Sequence, residues 1–192
     1  MATKNKILLG LAILIGIAIF AWSKRDVYVG IAGVTFRFPN QAVVSVNTTV
    51  PLDGLDTTQG AFIELPNGHY FGSWGLLLQS SKERGANGMS EGLIDALRRG
   101  DLRLNRTPFG WYECGRICGR EDWYFQRIPD RDSSIYSIGT LICHDTGICK
   151  LNFAYRDVDV QVSVSRQQID SVSEVKQKAI VLLQKYEMPK EK

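Results

Sequence analysis

Val158-Asp159-Val160-Gln161-Val162-Ser163-Val164, then a polar interval from Ser165 to Ser171, then Val172-Ser173-Glu174-Val175-Lys176-Gln177-Lys178-Ala179-Ile180-Val181-Leu182-Leu183-Gln184-Lys185-Tyr186: these two stretches decide the fold. In the first, valine alternates strictly with polar residues, the period of a strand with one buried and one wet face. In the second, Val172, Val175, Ala179, Leu182, Leu183 and Tyr186 recur at three- and four-residue spacing, which lines one face of an α-helix. Ser171-x-x-Glu174 has the form of a capping box, Lys185 occupies the last turn and Pro189 lies just beyond. A helix with a single apolar stripe needs a sheet to lie on. The pair therefore predicts an α+β domain, mainly antiparallel β-sheet with a C-terminal amphipathic helix packed on one face.

The rest of the chain supplies the sheet. Val27–Ile31, Val34–Phe38, 42–50, 61–65 and 70–79 are rich in β-branched and aromatic residues, and Pro66-Asn67-Gly68 reads as the turn between the last two. Further strands are predicted over 111–114, 123–128 and 134–143, and a short helix over 91–99 between Ser90 and Gly100. With 44% hydrophobic and 22% charged residues the chain suffices for one domain with a core. The net charge of +3 is too mild to imply nucleic acid.

Residues 1–23 set the compartment. A basic leader, Met1 to Lys6, precedes an uninterrupted apolar run from Ile7 to Trp22, and Lys24-Arg25 follows it. The run lies between a signal-peptide core of roughly 7–15 residues and a comfortable membrane helix of about 20. Trp22 and the flanking lysines suit a membrane interface, and Ala21-Trp22-Ser23 is a poor cleavage triplet, so an uncleaved anchor through residues 7–22 is preferred over a cleaved signal. The resulting division is 1–23 as anchor or signal, 24–188 as an exported α+β domain and 189–192 as a tail.

All four cysteines, Cys114, Cys118, Cys143 and Cys149, fall within one short region. An even, tightly grouped set in an exported chain reads as two disulfides. The C-x3-C and C-x5-C spacings are not those of common zinc ribbons, so no metal is implied. Asp145-Thr146-Gly147 has the form of a three-residue hairpin loop. Its closing pair would be His144 and Ile148, which sets Cys143 opposite Cys149 and leaves Cys114 with Cys118. All three connectivities remain formally open at this level. Disulfides need an oxidising space, which orients the chain: N-terminus in the cytoplasm, domain in the periplasm, on a single-pass inner-membrane anchor.

Catalytic motifs are absent from the sequence. His69 and His144 each neighbour a predicted turn, where a solvated histidine is the ordinary case. Gly72-Ser73-Trp74-Gly75 is not at a strand-to-helix elbow. Ser173-x-x-Lys176 falls in the first turns of the amphipathic helix, as a cap-proximal serine and a solvated lysine. Glu121-Asp122, Asp130/Asp132 and Asp157/Asp159 lack a complementary acid, base or phosphate loop, and the last two are predicted on a wet strand face. No cofactor is implied. The sequons at Asn47 and Asn105 matter only in a eukaryotic host.

One segment is unusual. From Arg98 to Arg131 the chain holds eight of its thirteen arginines and none of its ten lysines, with Phe109-Gly-Trp111-Tyr112 and Trp123-Tyr124-Phe125 threaded through it. Arginine mixed with tryptophan and tyrosine is the composition of binding hot spots. The candidate partner-binding residues are Arg103, Arg106, Trp111, Tyr112, Arg116, Arg120, Trp123 and Arg127. The competing reading turns the aromatics into the core, with arginine stems covering them.

The order of short anchor, Phe36-Arg-Phe-Pro39, Cys143-His144, the Val158–Val164 strand and a helix ending Leu182-Leu183-Gln-Lys-Tyr186 resembles membrane-tethered periplasmic proteins of Gram-negative bacteria. Among them are immunity proteins against toxins delivered by type VI secretion, and layered domains of the Mog1/PsbP type are also similar. The resemblance implies a non-enzymatic, protein-binding role with a toxin as partner. The alternatives are an accessory subunit of an envelope or secretion assembly and, third, an envelope hydrolase.

Overall fold

The computed structural model describes residues 26–39, 41–47, 60–70, 73–80, 96, 99, 101, 103–115, 118, 121–128 and 135–189. Eleven strands and one C-terminal helix organise them: β1 (Val27–Ile31), β2 (Val34–Phe38), β3 (Val43–Asn47), β4 (Gly60–Tyr70), β5 (Ser73–Ser80), β6 (Asn105–Arg106), β7 (Tyr112–Gly115), β8 (Asp122–Phe125), β9 (Thr140–Cys143), β10 (Ile148–Tyr155), β11 (Val158–Ser165) and the helix Val172–Tyr186. Strands β3 to β11 form one sheet in the order β3-β4-β5-β11-β10-β9-β8-β7-β6, and β1-β2 is a separate hairpin. Every pairing is antiparallel.

The alternation in β11 sets the main core. Val158, Val160, Val162 and Val164 are at most 1% exposed and pair with Tyr155, Phe153, Leu151 and Cys149 of β10. On the other side Val160 and Val162 face Leu78 and Leu76 of β5. Across this face lies the helix, which buries Val172, Val175, Ala179 and Leu183. Each fully buried valine or leucine contributes about 1.5–3 kcal/mol, so a charge at Val175 would undo this layer.

The helix begins differently from its capping-box signature. Ser171 makes no side-chain cap, and its hydroxyl instead donates to the Gln168 carbonyl. A 3-10 turn, Arg166–Ser171, runs directly into the helix, and the Val172 N–H donates to the Ile169 carbonyl. Carbonyls of the turn meet donors that a serine cap would otherwise take. The cap role moves to Ser165, whose hydroxyl accepts from the Gln167 N–H.

Three other expectations change. β4 runs through Pro66-Asn67-Gly68, and the register between β4 and β5 shifts between Pro66 and Tyr70. The sheet absorbs the proline and glycine as an irregularity within the ladder. Strand β9 is confined to Thr140–Cys143, because residues 135–139 form turns in which Gly139 adopts φ +72°. The wet face of β11 is only partly wet, for Asp159 is 5% exposed and lies among buried Gln79 and Asn152. The 91–99 helix falls mostly outside the described residues, as do the anchor run 7–22, Asp130 and Asp132. Among the described residues no helix is long and apolar enough to cross a membrane.

The β1-β2 hairpin closes through Ala32 and Gly33, both left-handed at φ +51° and +76°. Its inward residues Val29, Ile31, Val34, Phe36 and Phe38 are buried. The ring of Phe38 lies 5.3 Å from that of Tyr186, and Phe36 lies 6.4 Å from Tyr155. The end of the chain fastens the hairpin: Phe36 bridges to Glu187, and the Met188 N–H donates to the Thr35 carbonyl at 2.8 Å. Glu187 also accepts the Tyr155 hydroxyl at 2.6 Å and pairs with Arg156.

Candidate partner-binding surface

The arginine-rich segment folds into β6, β7 and β8 at the far end of the sheet. Thr107 to Gly110 make the turn between β6 and β7. The Thr107 N–H donates to the Trp111 carbonyl at 2.7 Å, the Thr107 hydroxyl accepts from the Trp111 N–H at 3.1 Å, and Gly110 supplies φ +86°. The turn directs Trp111 inward. At 2% exposure, with its indole N–H donating to the Ser173 hydroxyl at 3.1 Å, Trp111 is a core residue and offers no docking surface. Of the eight residues expected to contact a partner, Trp111 is thus the one that joins the sheet to the helix.

Alternation through β8 splits the remaining aromatics between two faces. Tyr124 turns to the helix side, where Phe109 packs on it at 5.9 Å. Burial, with the neighbouring Glu113 and Asp122 carboxylates, pushes the Tyr124 hydroxyl above its ordinary pKa. Trp123 and Phe125 turn to the opposite face. With Cys114, Ile138, Leu104, Tyr112, Cys118 and Ile135 they form a second, smaller core. Tyr112 and Trp123 are half-buried there. The aromatics of the segment thus enter two cores, while Arg103, Arg106 and Arg127 stay outside them.

Arg103, Arg106 and Arg127 are exposed, and among the described residues none of them meets a carboxylate. Arg116 and Arg120 lie outside the described residues. Arg99 pairs with Asp101, and Arg166 with Asp122. Among the described residues the arginines of this segment without a carboxylate therefore sit on β6, just before it, and just after β8.

The cysteines pair as the hairpin register implies. Cys143 of β9 faces Cys149 of β10 with Cα atoms 4.0 Å apart, the close approach of a non-hydrogen-bonded pair. The His144 N–H donates to the Ile148 carbonyl, and Gly147 adopts φ +82° in the loop. Cys114 and Cys118 are bridged across a Cα separation of 5.8 Å.

Polar groups singled out in the sequence are largely absorbed by neighbours. His144 is not a freely solvated turn histidine: its Nδ1 lies 2.7 Å from the Glu121 carboxylate, and its Nε2 is buried without a partner among the described residues. Ser173 is occupied by Trp111. Lys176 is not fully solvated, since its ammonium donates to Gln126 Oε1 and lies 5.6 Å above the Phe153 ring. Desolvation lowers its pKa, and no carboxylate reaches it among the described residues. The sequence reading of Lys176 as a solvated lysine missed this because Lys176 borders the apolar stripe one position after Val175. Among the described residues no group of histidine, cysteine and carboxylate side chains could hold a metal.

The architecture defines a class: a single large antiparallel sheet, one C-terminal helix across it and a two-stranded hairpin clasped at the helix end. A solved structure of this kind is Smlt3025, an immunity protein of the Stenotrophomonas maltophilia type IV secretion system. It matches with a TM-score of 0.50 over 86% of this chain and 94% of that one, at 12% sequence identity. At that identity the likeness establishes a shared fold. No family model matches the sequence, and no curated protein matches it. The secretion system of the similar structure is type IV, not the type VI of the sequence resemblance.

Proposed function

We propose that this protein is a non-enzymatic immunity protein: a periplasmic domain, tethered to the inner membrane through residues 7–22, that binds and occludes a toxin. The observation that carries the reading is the fold shared with a secretion-system immunity protein across most of both chains. Two features of the chain support it. Cations on the β6–β8 end of the sheet lack carboxylates among the described residues, and Ser173, Lys176, His144, Glu121 and Asp122 are each held by a structural neighbour.

Occlusion needs only a complementary surface, so the mechanism asks the domain to be rigid rather than reactive. Two disulfides and the double core supply that rigidity, and lower the entropy lost when the surface is ordered against a partner. The tether raises the local concentration of inhibitor where a toxin acts on the envelope. Delivery by type IV secretion accords with the similar structure, and delivery by type VI with the sequence resemblance.

Deleting the gene in the native host tests the proposal. Growth beside secretion-competent siblings should then kill the deletion strain. Residues 24–192 exported on a cleavable signal should restore survival, whereas an accessory subunit would need its own anchor. A deletion strain that grows normally beside such siblings overturns the immunity reading.

A further inference from the structure

We propose that β1 is a docking edge for the β1 of a second copy of this chain. The two strands pair antiparallel about Val29, so that Tyr28 of each copy lies over Gly30 of the other. The inference goes beyond the immunity reading and does not rest on it.

The register of the hairpin fixes which backbone groups are left to pair. Ala32 and Gly33 form its loop, so Ile31 and Val34 are the closing, hydrogen-bonded pair, and Val29–Phe36 and Val27–Phe38 repeat that pattern at alternate positions. The backbone polar groups of Tyr28 and Gly30 therefore point out of the hairpin on the β1 side, as those of Thr35 and Arg37 do on the β2 side. The Thr35 carbonyl agrees with this phase, for it accepts the Met188 N–H from outside the hairpin. The chain end thus closes the outer side of β2, whereas among the described residues no strand pairs with the outer side of β1. Gly30 is exposed, and in a glycine that exposure belongs to the backbone itself.

An open edge is ordinarily blunted by charge, by proline or by brevity. Strand β6, at one end of the large sheet, has two residues, one of them an arginine. Strand β1 has five, Val27-Tyr28-Val29-Gly30-Ile31, with neither charge nor proline among them. Asp26 and Arg37 beside it neutralise each other at 2.6 Å. Tyr28 is 57% exposed.

Self-complementarity decides the occupant. A two-fold axis normal to the sheet and beside Val29 sets Tyr28 against Gly30 twice, Val27 against Ile31 twice, and Val29 against itself. Tyr28 and Gly30 both carry outward backbone groups, so they meet as hydrogen-bonded pairs, as an antiparallel ladder requires. They also share the exposed face of β1, where a Cβ on Gly30 would meet nothing within 4 Å. A tyrosine ring from the facing strand fills that space, the arrangement in which an aromatic covers an edge glycine. Centring the pair on Tyr28 or on Gly30 instead would match only residues 27–29 or 29–31. No like charges oppose one another in the resulting β2-β1-β1-β2 sheet. The contact is short and so depends on concentration, which tethering to a membrane would raise.

The test mixes full-length Tyr28→Cys and Gly30→Cys chains in zwitterionic micelles, oxidises them and maps the products. Hydrogen-bonded partners have Cα atoms about 5.5 Å apart, within disulfide reach. Gly30 is not left-handed, so it accepts a side chain without strain. The mixture should give a 28–30 cross-link at least five-fold above either variant alone and above Tyr28→Cys mixed with Lys150→Cys. In sedimentation of otherwise unchanged chains, Gly30→Pro removes the outward N–H, spares the hydrogen bonds within the hairpin and should abolish the dimer. Gly30→Ala keeps that N–H and should retain the dimer, and Tyr28→Ser should weaken it several-fold. Circular dichroism checks folding; should Gly30→Pro fail it, the exposed change Tyr28→Ser decides. Equal cross-linking in all mixtures, or association that neither disruptive variant reduces, overturns the proposal. So does a chain that stays monomeric at every concentration. Loss of survival beside secretion-competent siblings on Gly30→Pro would then give the edge to a partner strand instead.

Discussion

Replacing Trp111 with phenylalanine should cost the domain about 2–3 kcal/mol, and the loss should be traceable to one contact. Trp111 is 2% exposed and its indole N–H donates to the Ser173 hydroxyl at 3.1 Å, tying the start of β7 to the first turn of the helix. Phenylalanine keeps most of the ring in place. The packing loss is then about 1–1.5 kcal/mol, near the limit for size-similar apolar exchanges. The lost hydrogen bond adds about 1 kcal/mol. For a domain of this size each kcal/mol lowers Tm by about 2–4 °C, so the variant should melt roughly 5–10 °C lower. Ser173→Ala alone should cost about 1 kcal/mol or less, because the serine is at the surface. The assay is a double-mutant cycle in urea. Trp111→Phe combined with Ser173→Ala should lose about 1 kcal/mol less than the sum of the single changes. A coupling within about 0.3 kcal/mol of zero would refute the contact as a source of stability and leave Trp111 as packing alone.

Three further outcomes follow from other sites. Ala32 holds φ +51° beside Gly33 at +76°, so Ala32→Asn or Ala32→Gly should stabilise the hairpin by about 0.5–1 kcal/mol in a melting experiment. Burial, then the hydrogen bond to Glu187, raises the Tyr155 hydroxyl to about 12, so the folded state holds a proton that the unfolded state gives up near pH 10. That contribution is intact below pH 10 and is lost as pH rises towards 12. It amounts to at most about 2.7 kcal/mol. Urea midpoints measured against pH should show an alkaline decline that Tyr155→Phe flattens. Changing Cys143 and Cys149 together to serine should cost about 2–3 kcal/mol from loop closure alone, read as a lower urea midpoint whose remaining response to reductant is that of the Cys114–Cys118 bridge.

Much of the fold was legible where one period dominated. The valine alternation of β11 names its buried face residue by residue, and the apolar stripe of the helix was read almost in full. The hairpin at Cys143 and Cys149 followed from a local turn signal of a few residues. Legibility failed where distant neighbours decide. Nothing near Pro66-Asn67-Gly68 says that β5 will hold the ladder together through it, and nothing near Asp159 says that its face will be covered. Ser171 carried a good cap signature, yet the 3-10 turn before it supplied the carbonyls first. The candidate site split the same way. Arg103, Arg106 and Arg127 are exposed, whereas Trp111 needed the helix to claim it, and Lys176 belonged to a helix remote in sequence from Gln126, to which it donates.

The clasp at Glu187 and Met188 has a consequence for how the molecule is held and handled. It brings Glu187 and Met188 beside β2, the strand that pairs with β1. Lys176, on the same helix, lies eleven residues earlier, about 16 Å along the axis at 1.5 Å per residue. The helix thus joins two distant parts of the domain, the hairpin at its end and, through Ser173, the Trp111 turn at its start. A load drawn through the hairpin would pass by the clasp into the helix end and spare the β6–β8 end of the sheet. Met188→Pro, which removes the N–H that the Thr35 carbonyl accepts, should therefore loosen the hairpin while leaving the Trp111–Ser173 contact in place.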